Sequence, residues 1–287
     1  MSDPALEVPI PPDAIAPPAD LRRIPHLGHA LLLAVLFCAG LLTSVILILV
    51  SLHFKLFGIV NVTDAMHSLP YALGTMLVLY LAAFIPGALV FPALWRRPLL
   101  AGLQWNSSAV RRHWWKLMAT GVACFLIALA FQKILHFPAK TPMHDLVNTA
   151  AAVWTLWAFS ITLAPLCEEV VFRGFLLPAI ATACDWIAEK LTHRPAPPLL
   201  PGGHPRWSLP AMAVAAILTS LAFAAIHSSQ NANAWGPFIL LCAVSLVLCA
   251  VRLASRSVAA STFTHATYNC TLFVVMFIQT HAFQHLH

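Results

Sequence analysis

The sequence predicts an all-α polytopic membrane protein, with about eight transmembrane helices around an intramembrane polar cavity. Three observations carry that prediction. The 287 residues are 60% hydrophobic and only 9% charged, against roughly 25% charge in an average soluble domain, which excludes a water-exposed globule. The apolar residues fall in continuous runs of bilayer length, whereas a membrane barrel would show short alternating segments. A few charged and hydrogen-bonding side chains stand inside those runs, where only a shared polar interior accommodates them.

The elements follow in order. Residues 1–26 hold Pro4, Pro9, Pro11, Pro12, Pro17, Pro18 and Pro25 among Asp3, Glu7, Asp13 and Asp20, and this composition predicts a disordered tail. Its acidic, proline-broken start lacks the basic-then-apolar pattern of a secretory signal. Apolar runs then lie at roughly residues 28–52, 69–95, 114–135, 147–166, 171–188, 209–228, 234–251 and 257–280. The fourth and fifth nearly touch. Pro165 and the charges after it mark either a tight turn between two spans or a kink in one long element, which would lower the count to seven.

A formal charge of +6 in a soluble chain would suggest nucleic acid; here the basic residues edge the apolar runs, as cytoplasmic loops do, and no nucleic-acid partner is expected. The largest cluster, Arg96, Arg97, Arg111, Arg112 and Lys116, follows the second run, and Arg22 and Arg23 precede the first. Both belong on the cytoplasmic side, which makes the protein an integral one of the cell (inner) membrane with a cytoplasmic N-terminus. With eight spans both termini lie inside, Lys190, Arg194, Arg206, Arg252 and Arg256 fall outside, and the tally is nearly even. The seven cysteines show no C-x-x-C spacing and read as buried small hydrophobes.

The informative residues are polar ones in lipid. Glu168, Glu169 and Arg173 interrupt an apolar run, at a cost on the order of 8 to 10 kcal/mol on the insertion scale. Glu169 and Arg173 are spaced i, i+4 with the acid first, the favourable order for an ion pair. Glu168 is left over, pointing elsewhere, and suits proton transfer. His227 ends the sixth run one turn after Phe223; His265 lies in the eighth, with Asn269 one turn on, so imidazole and carboxamide share a face. Three spans thus offer one polar face each, and such faces turn toward one another in lipid. Together they hold what hydrolysis requires: a carboxylate to take a proton from water, an imidazole to hold that water or protonate a leaving amine, and donors for an oxyanion. No nucleophile is obviously set up, although Ser220, Ser228 and Cys167 are near in sequence.

Glu168-Glu169-x-x-x-Arg173 with Phe172-Arg173-Gly174, Phe223-x-x-x-His227 and His265-x-x-x-Asn269 resemble, in order, spacing and context, the CPBP intramembrane proteases, which include type II CAAX prenyl endopeptidases and the abortive infection family. The resemblance covers about residues 147–280. It implies an eight-helix fold with a conical cavity open to the cytosol, and cleavage there of a peptide bond in a membrane-associated protein or peptide. By that analogy Glu168 is the base activating water, His227 positions the water, His265 and Asn269 stabilise the oxyanion, and Glu169, Arg173 and Phe223 support the site. The chain then divides into a tail (1–26), N-terminal transmembrane helices (27–146), a catalytic core (147–280) and a C-terminal tail (281–287). The family is labelled both glutamic protease and metalloprotease. Glu168, His227 and His265 could supply zinc with three ligands, but H-E-x-x-H is absent and Glu168 could not then serve as base, so no cofactor is favoured. The rival classes are a proton-coupled carrier, since intramembrane carboxylates and histidines also mark proton relays, and a non-catalytic membrane scaffold.

Overall fold

The computed structural model describes residues 23–56, 61–66, 68–132, 134–138, 141–142, 149–197, 199–200 and 204–283. Most of the proline-rich tail and residues 284–287 lie outside them. Among the described residues the regular secondary structure is helical apart from one isolated bridge, Leu200 to His204. The long helices are α1 (Leu27–His53), α2 (Leu69–Trp95), α3 (Ser107–Gln132), α4 (Ala150–Thr192), α5 (Leu209–Ile226), α6 (Trp235–Ser255) and α7 (Val258–Gln279). The first six are long and apolar enough to cross a membrane. Helix α7 is more polar and runs beside them.

The runs at 147–166 and 171–188 form the single tract α4, the continuous alternative that Pro165 left open. Its pieces are Ala150–Ile161, Leu163–Glu169, a π-helical turn Val170–Leu176 and Leu177–Thr192. Thr149 caps its start, accepting from the Ala152 amide at 3.2 Å, which offsets one of the amides a helix start leaves unpaired. Pro165 has no N–H to offer the carbonyl one turn before it, and the tract bends at Thr162 (φ −120, ψ −83) without reversing. Contacts with α7 establish the continuity. His265 meets Glu169, Asn269 meets Ser160, and Phe273 packs with Val153, so α7 runs antiparallel to all of the first half of α4.

The same reasoning gives the direction of every helix. Tyr80 stacks on Phe159 and Phe91 packs on Phe175, which makes α2 parallel to α4. Ser44 bonds Thr75 while Leu33 packs near Phe91, so α1 opposes α2. Gly121 of α3 approaches Thr264 and Thr267, and Phe125 meets Tyr268, so α3 parallels α7. Phe172 meets Phe223 and Thr182 meets Trp207, which sets α5 against α4; Ser220 beside Cys249 sets α6 against α5. Seven passes along the bundle result, six of them by helices long and apolar enough to cross a membrane. The start of α1 and the end of α7 therefore lie at opposite ends of the bundle.

This count redistributes the charge. One end gathers Arg23, Arg96, Arg97, Arg111, Arg112, Lys116, Lys190, Arg194, Arg206, Arg252 and Arg256, eleven of the described Lys and Arg residues. At the opposite end the described residues include one, Lys55. The near-even tally expected from eight spans depended on splitting α4, which flips every later connection. At the basic end Glu189 pairs with Arg23, and Asp185 accepts from the Ser208 amide at 3.0 Å, tying α4 to its neighbours.

Candidate active site

The two adjacent glutamates enter different surroundings because α4 places one on its packed face and one on its cavity face. Glu169 is wholly buried. Its Oε1 accepts from Arg173 Nη1 at 2.9 Å and from His265 Nδ1 at 3.0 Å. Arg173 is also fully buried; its Nη2 donates to the carbonyl and hydroxyl of Ser245 on α6 at 3.1 and 2.6 Å. The guanidinium lies 4.9 Å from the Phe223 ring centroid, which adds cation–π attraction in a dry setting. A second buried cation braces the first: Arg252 Nε donates to the Arg173 carbonyl at 3.2 Å and its Nη2 to Gln104 Oε1 at 2.7 Å. One site helix is thereby joined to α6 and, through Gln104, to the connection before α3.

Glu168 retains 14% side-chain exposure and faces a cavity. Its Oε1 lies 3.7 Å from His227 Nε2 and its Oε2 lies 3.8 Å from His265 Nε2. The Phe223 carbonyl, 2.8 Å from His227 Nδ1, can only accept, so Nδ1 carries a proton there. A carboxylate at His265 Nδ1 dictates the same. Both imidazoles therefore turn Nε2 toward Glu168. The cavity around them has a volume of about 420 Å³ and includes Ser160, Gln230, Asn231, Tyr268 and Asn269. Its other walls come from the start of α2 (Leu73, Met76), the end of α3 (Leu129, Gln132) and the start of α6 (Pro237, Leu240). Its lining extends from Glu168 to residues near the end of the bundle opposite the basic one, among them Leu73, Gln132 and Pro237.

All seven side chains expected at the site converge. Asn269 has an unforeseen tie: its Nδ2 donates at 2.7 Å to the carbonyl of Ser160, two residues before the α4 bend. The amide's second hydrogen remains for the cavity. The three nucleophile candidates do not join the set. Cys167 lines a separate, almost wholly apolar cavity of about 300 Å³ between α1, α2 and α4. Ser220 is buried beside Cys249, and Ser228 donates to the Ala224 carbonyl. All seven cysteines are free.

Three participants were missed. Ser245 looked like one hydroxyl in an apolar run, Arg252 like a loop charge, and Gln104 like a connection residue. The legible signal was Arg252 itself, since it stands in the last turn of a helix and not beyond it.

Zinc requires its ligands at about 2.0 to 2.2 Å from one centre. Glu168, His227 and His265 aim their donors at a common region. Among the described residues, however, no group of three His, Cys, Asp or Glu side chains is drawn together closely enough to hold a metal ion.

Fold and site thus define a class: a polytopic helical membrane protein with a glutamate–histidine cluster at the floor of an intramembrane cavity. Residues 149–271 match the family described as "Type II CAAX prenyl endopeptidase Rce1-like". This segment, less than half of the chain, is similar to the CPBP intramembrane proteases, and the similarity supports a membrane peptidase. No curated protein and no solved structure matches the chain.

Proposed function

We propose that the protein hydrolyses a peptide bond of a membrane-associated protein or peptide by glutamate-activated water, without a metal. The observation that supports this reading most is the convergence of Glu168 with the Nε2 atoms of His227 and His265 at the cavity floor. A water seated there reaches both the Glu168 carboxylate and the His227 imidazole. Glu168 takes a proton from the water as its oxygen attacks the carbonyl carbon, and His227 holds the water in line. The oxyanion forms beside His265, whose Nε2 in the imidazolium form donates to it, and beside the free amide hydrogen of Asn269. Glu169 orients His265 through Nδ1, much as a buried carboxylate orients the imidazole of a serine protease. Glu168 then returns its proton to the leaving amine, and the tetrahedral intermediate collapses to acid and amine.

The test is a comparison of peptide termini in membrane and secreted fractions from cells carrying wild type or chromosomal Glu168→Gln. That substitution is nearly isosteric and removes the base. Termini present only with wild type support the reading and identify the substrate, including whether it is prenylated. Identical maps at equal protein levels reject it in favour of a carrier or scaffold.

A further inference from the structure

We infer that the cavity among the arginines at the basic end of the bundle is a binding site for the phosphate group of an anionic phospholipid. The site is separate from the Glu168 cavity, with which it shares no lining residue. It has a volume of about 340 Å³ and lies between the start of α5 and the end of α6, where Arg206, Arg252 and Arg256 line it together with Gln104. His204, next in sequence to the lining residue Pro205, has its pKa lowered by burial and then by Arg97, Arg252 and Arg256, so these three arginines are within electrostatic reach of one imidazole.

Cations drawn together in this way repel, and no described carboxylate answers them. Glu168 and Glu169 belong to the active site, Asp185 accepts from Ser208, Glu189 pairs with Arg23, and Asp64 is at the other end of the bundle. Arg206 and Arg256 form neither an ion pair nor a side-chain hydrogen bond among the described residues. Two exposed arginines by themselves would be solvated loop charges. Arg252 differs, since it is only 2% exposed. It spends Nε on the Arg173 carbonyl and Nη2 on Gln104, and its Nη1 has no partner among the described residues. A buried cation with a spare donor, beside two further guanidinium groups, is an arrangement that a phosphate satisfies, because its oxygens accept in pairs from planar guanidinium forks.

The apolar surroundings indicate what carries the phosphate. Trp207 and Leu209 also line the cavity. Leu209, 77% exposed, begins a line of exposed apolar side chains that continues through Ile217 and Leu221 along α5, a helix of membrane-crossing length. Basic pockets between membrane helices hold lipid headgroups at the interface. Here the phosphate would sit among the arginines and the acyl chains along α5, whereas a free phosphate would leave that line uncovered.

The test is a titration of the full-length protein in neutral detergent with dioctanoyl phosphatidylglycerol, dioctanoyl phosphatidylcholine or inorganic phosphate, read as the thermal unfolding midpoint. Phosphatidylglycerol should raise the midpoint, and the other two at the same concentration should leave it unchanged. Arg206→Gln/Arg256→Gln should weaken the apparent affinity for phosphatidylglycerol by about ten-fold or more, the loss expected when charge-assisted bonds are removed. Arg111→Gln/Arg112→Gln, which takes the same charge from the start of α3, should keep it. Equal weakening by both pairs, or equal shifts from the two lipids, overturns the inference. Inorganic phosphate acting as strongly as phosphatidylglycerol overturns the lipid as carrier. The chain keeps its acidic tail, so a tail carboxylate that already satisfied the arginines would abolish the response and overturn the inference too. Should Arg206→Gln/Arg256→Gln not fold, wild type decides: phosphatidylglycerol with a photoreactive acyl chain should crosslink between Leu209 and Leu221, and crosslinks confined to other helices overturn the inference. None of these readouts requires catalysis.

Discussion

Removing Arg173 alone should damage the protein more than removing Arg173 and its partner charge together. The guanidinium and the Glu169 carboxylate are both fully buried, so Arg173→Met leaves an uncompensated carboxylate in a dry core, a change that costs about 3 to 5 kcal/mol. Lost bonds to Ser245 and the lost contact with Phe223 belong to the same substitution. In Glu169→Gln/Arg173→Met both charges are gone, Met fills most of the arginine volume, and the glutamine oxygen still accepts from His265. Such paired replacements are often close to neutral, so the double variant should recover at least about 2 kcal/mol relative to the single one, a coupling within the range seen for contacting residues. Thermal unfolding in detergent can be followed by a thiol-reactive dye, because Cys167 and Cys249 are buried in the folded state. Activity should stay low in the double variant, since a neutral amide orients and charges His265 less well than a carboxylate. Equal destabilisation of single and double variants would refute the reasoning, as would an unchanged midpoint in Arg173→Met.

Other outcomes follow from single contacts. Asn269→Ala should cost about 1 to 3 kcal/mol by orphaning the Ser160 carbonyl and should lower kcat, whereas Asn269→Gln should retain more stability than activity; melting and steady-state kinetics separate these effects. Gly121→Ala should lower both stability and activity, because a Cβ there would meet the Thr264 carbonyl at 2.7 Å and push on the turn carrying His265; Gly74→Ala, with open space around it, is the control. Overpacking of this kind typically costs about 1 to 3 kcal/mol. Chelators should leave cleavage intact and purified protein should contain no stoichiometric zinc; one zinc per chain, with activity lost on chelation and restored by zinc, would refute metal-independent chemistry. His204, at the basic end, has its pKa lowered from 6.5 by burial and then by Arg97, Arg252 and Arg256. Its stabilising contribution is present above pH 6.5 and is lost as pH falls through the lowered value, so His204→Asn should flatten the decline of the unfolding midpoint on acidification.

The membrane class and the site constellation were legible because both rest on residue chemistry that lipid makes costly. A carboxylate pair, an arginine and two histidines inside apolar runs have few ways to coexist except together. The crossing number was less legible. Pro165 signals a break but not its angle, and whether α4 reverses or merely bends depends on α7 lying along both halves of it, a tertiary fact. Orientation inherited the same ambiguity, since each basic connection after residue 166 changes side with the count. The supporting network was the least legible part: Ser245 and Gln104 are ordinary residues until Arg173 and Arg252 reach them.

The bend and the site are one construction. The bend at Thr162 and the π turn at Val170–Leu176 lie on either side of the two glutamates. The bend opens space on the Ser160 and Ala164 side, which the cavity occupies. The π turn begins at the residue after Glu169 and carries Arg173 back beneath it, so the carboxylate and guanidinium meet across a locally widened helix. Such turns recur at functional sites because they re-aim side chains within an otherwise regular element. Asn269 secures the bend from α7 while His265, one turn earlier on the same helix, secures Glu169. One face of α7 thus fixes both irregularities of α4. Between them Glu168 is held toward the cavity while its neighbour in sequence stays dry and paired.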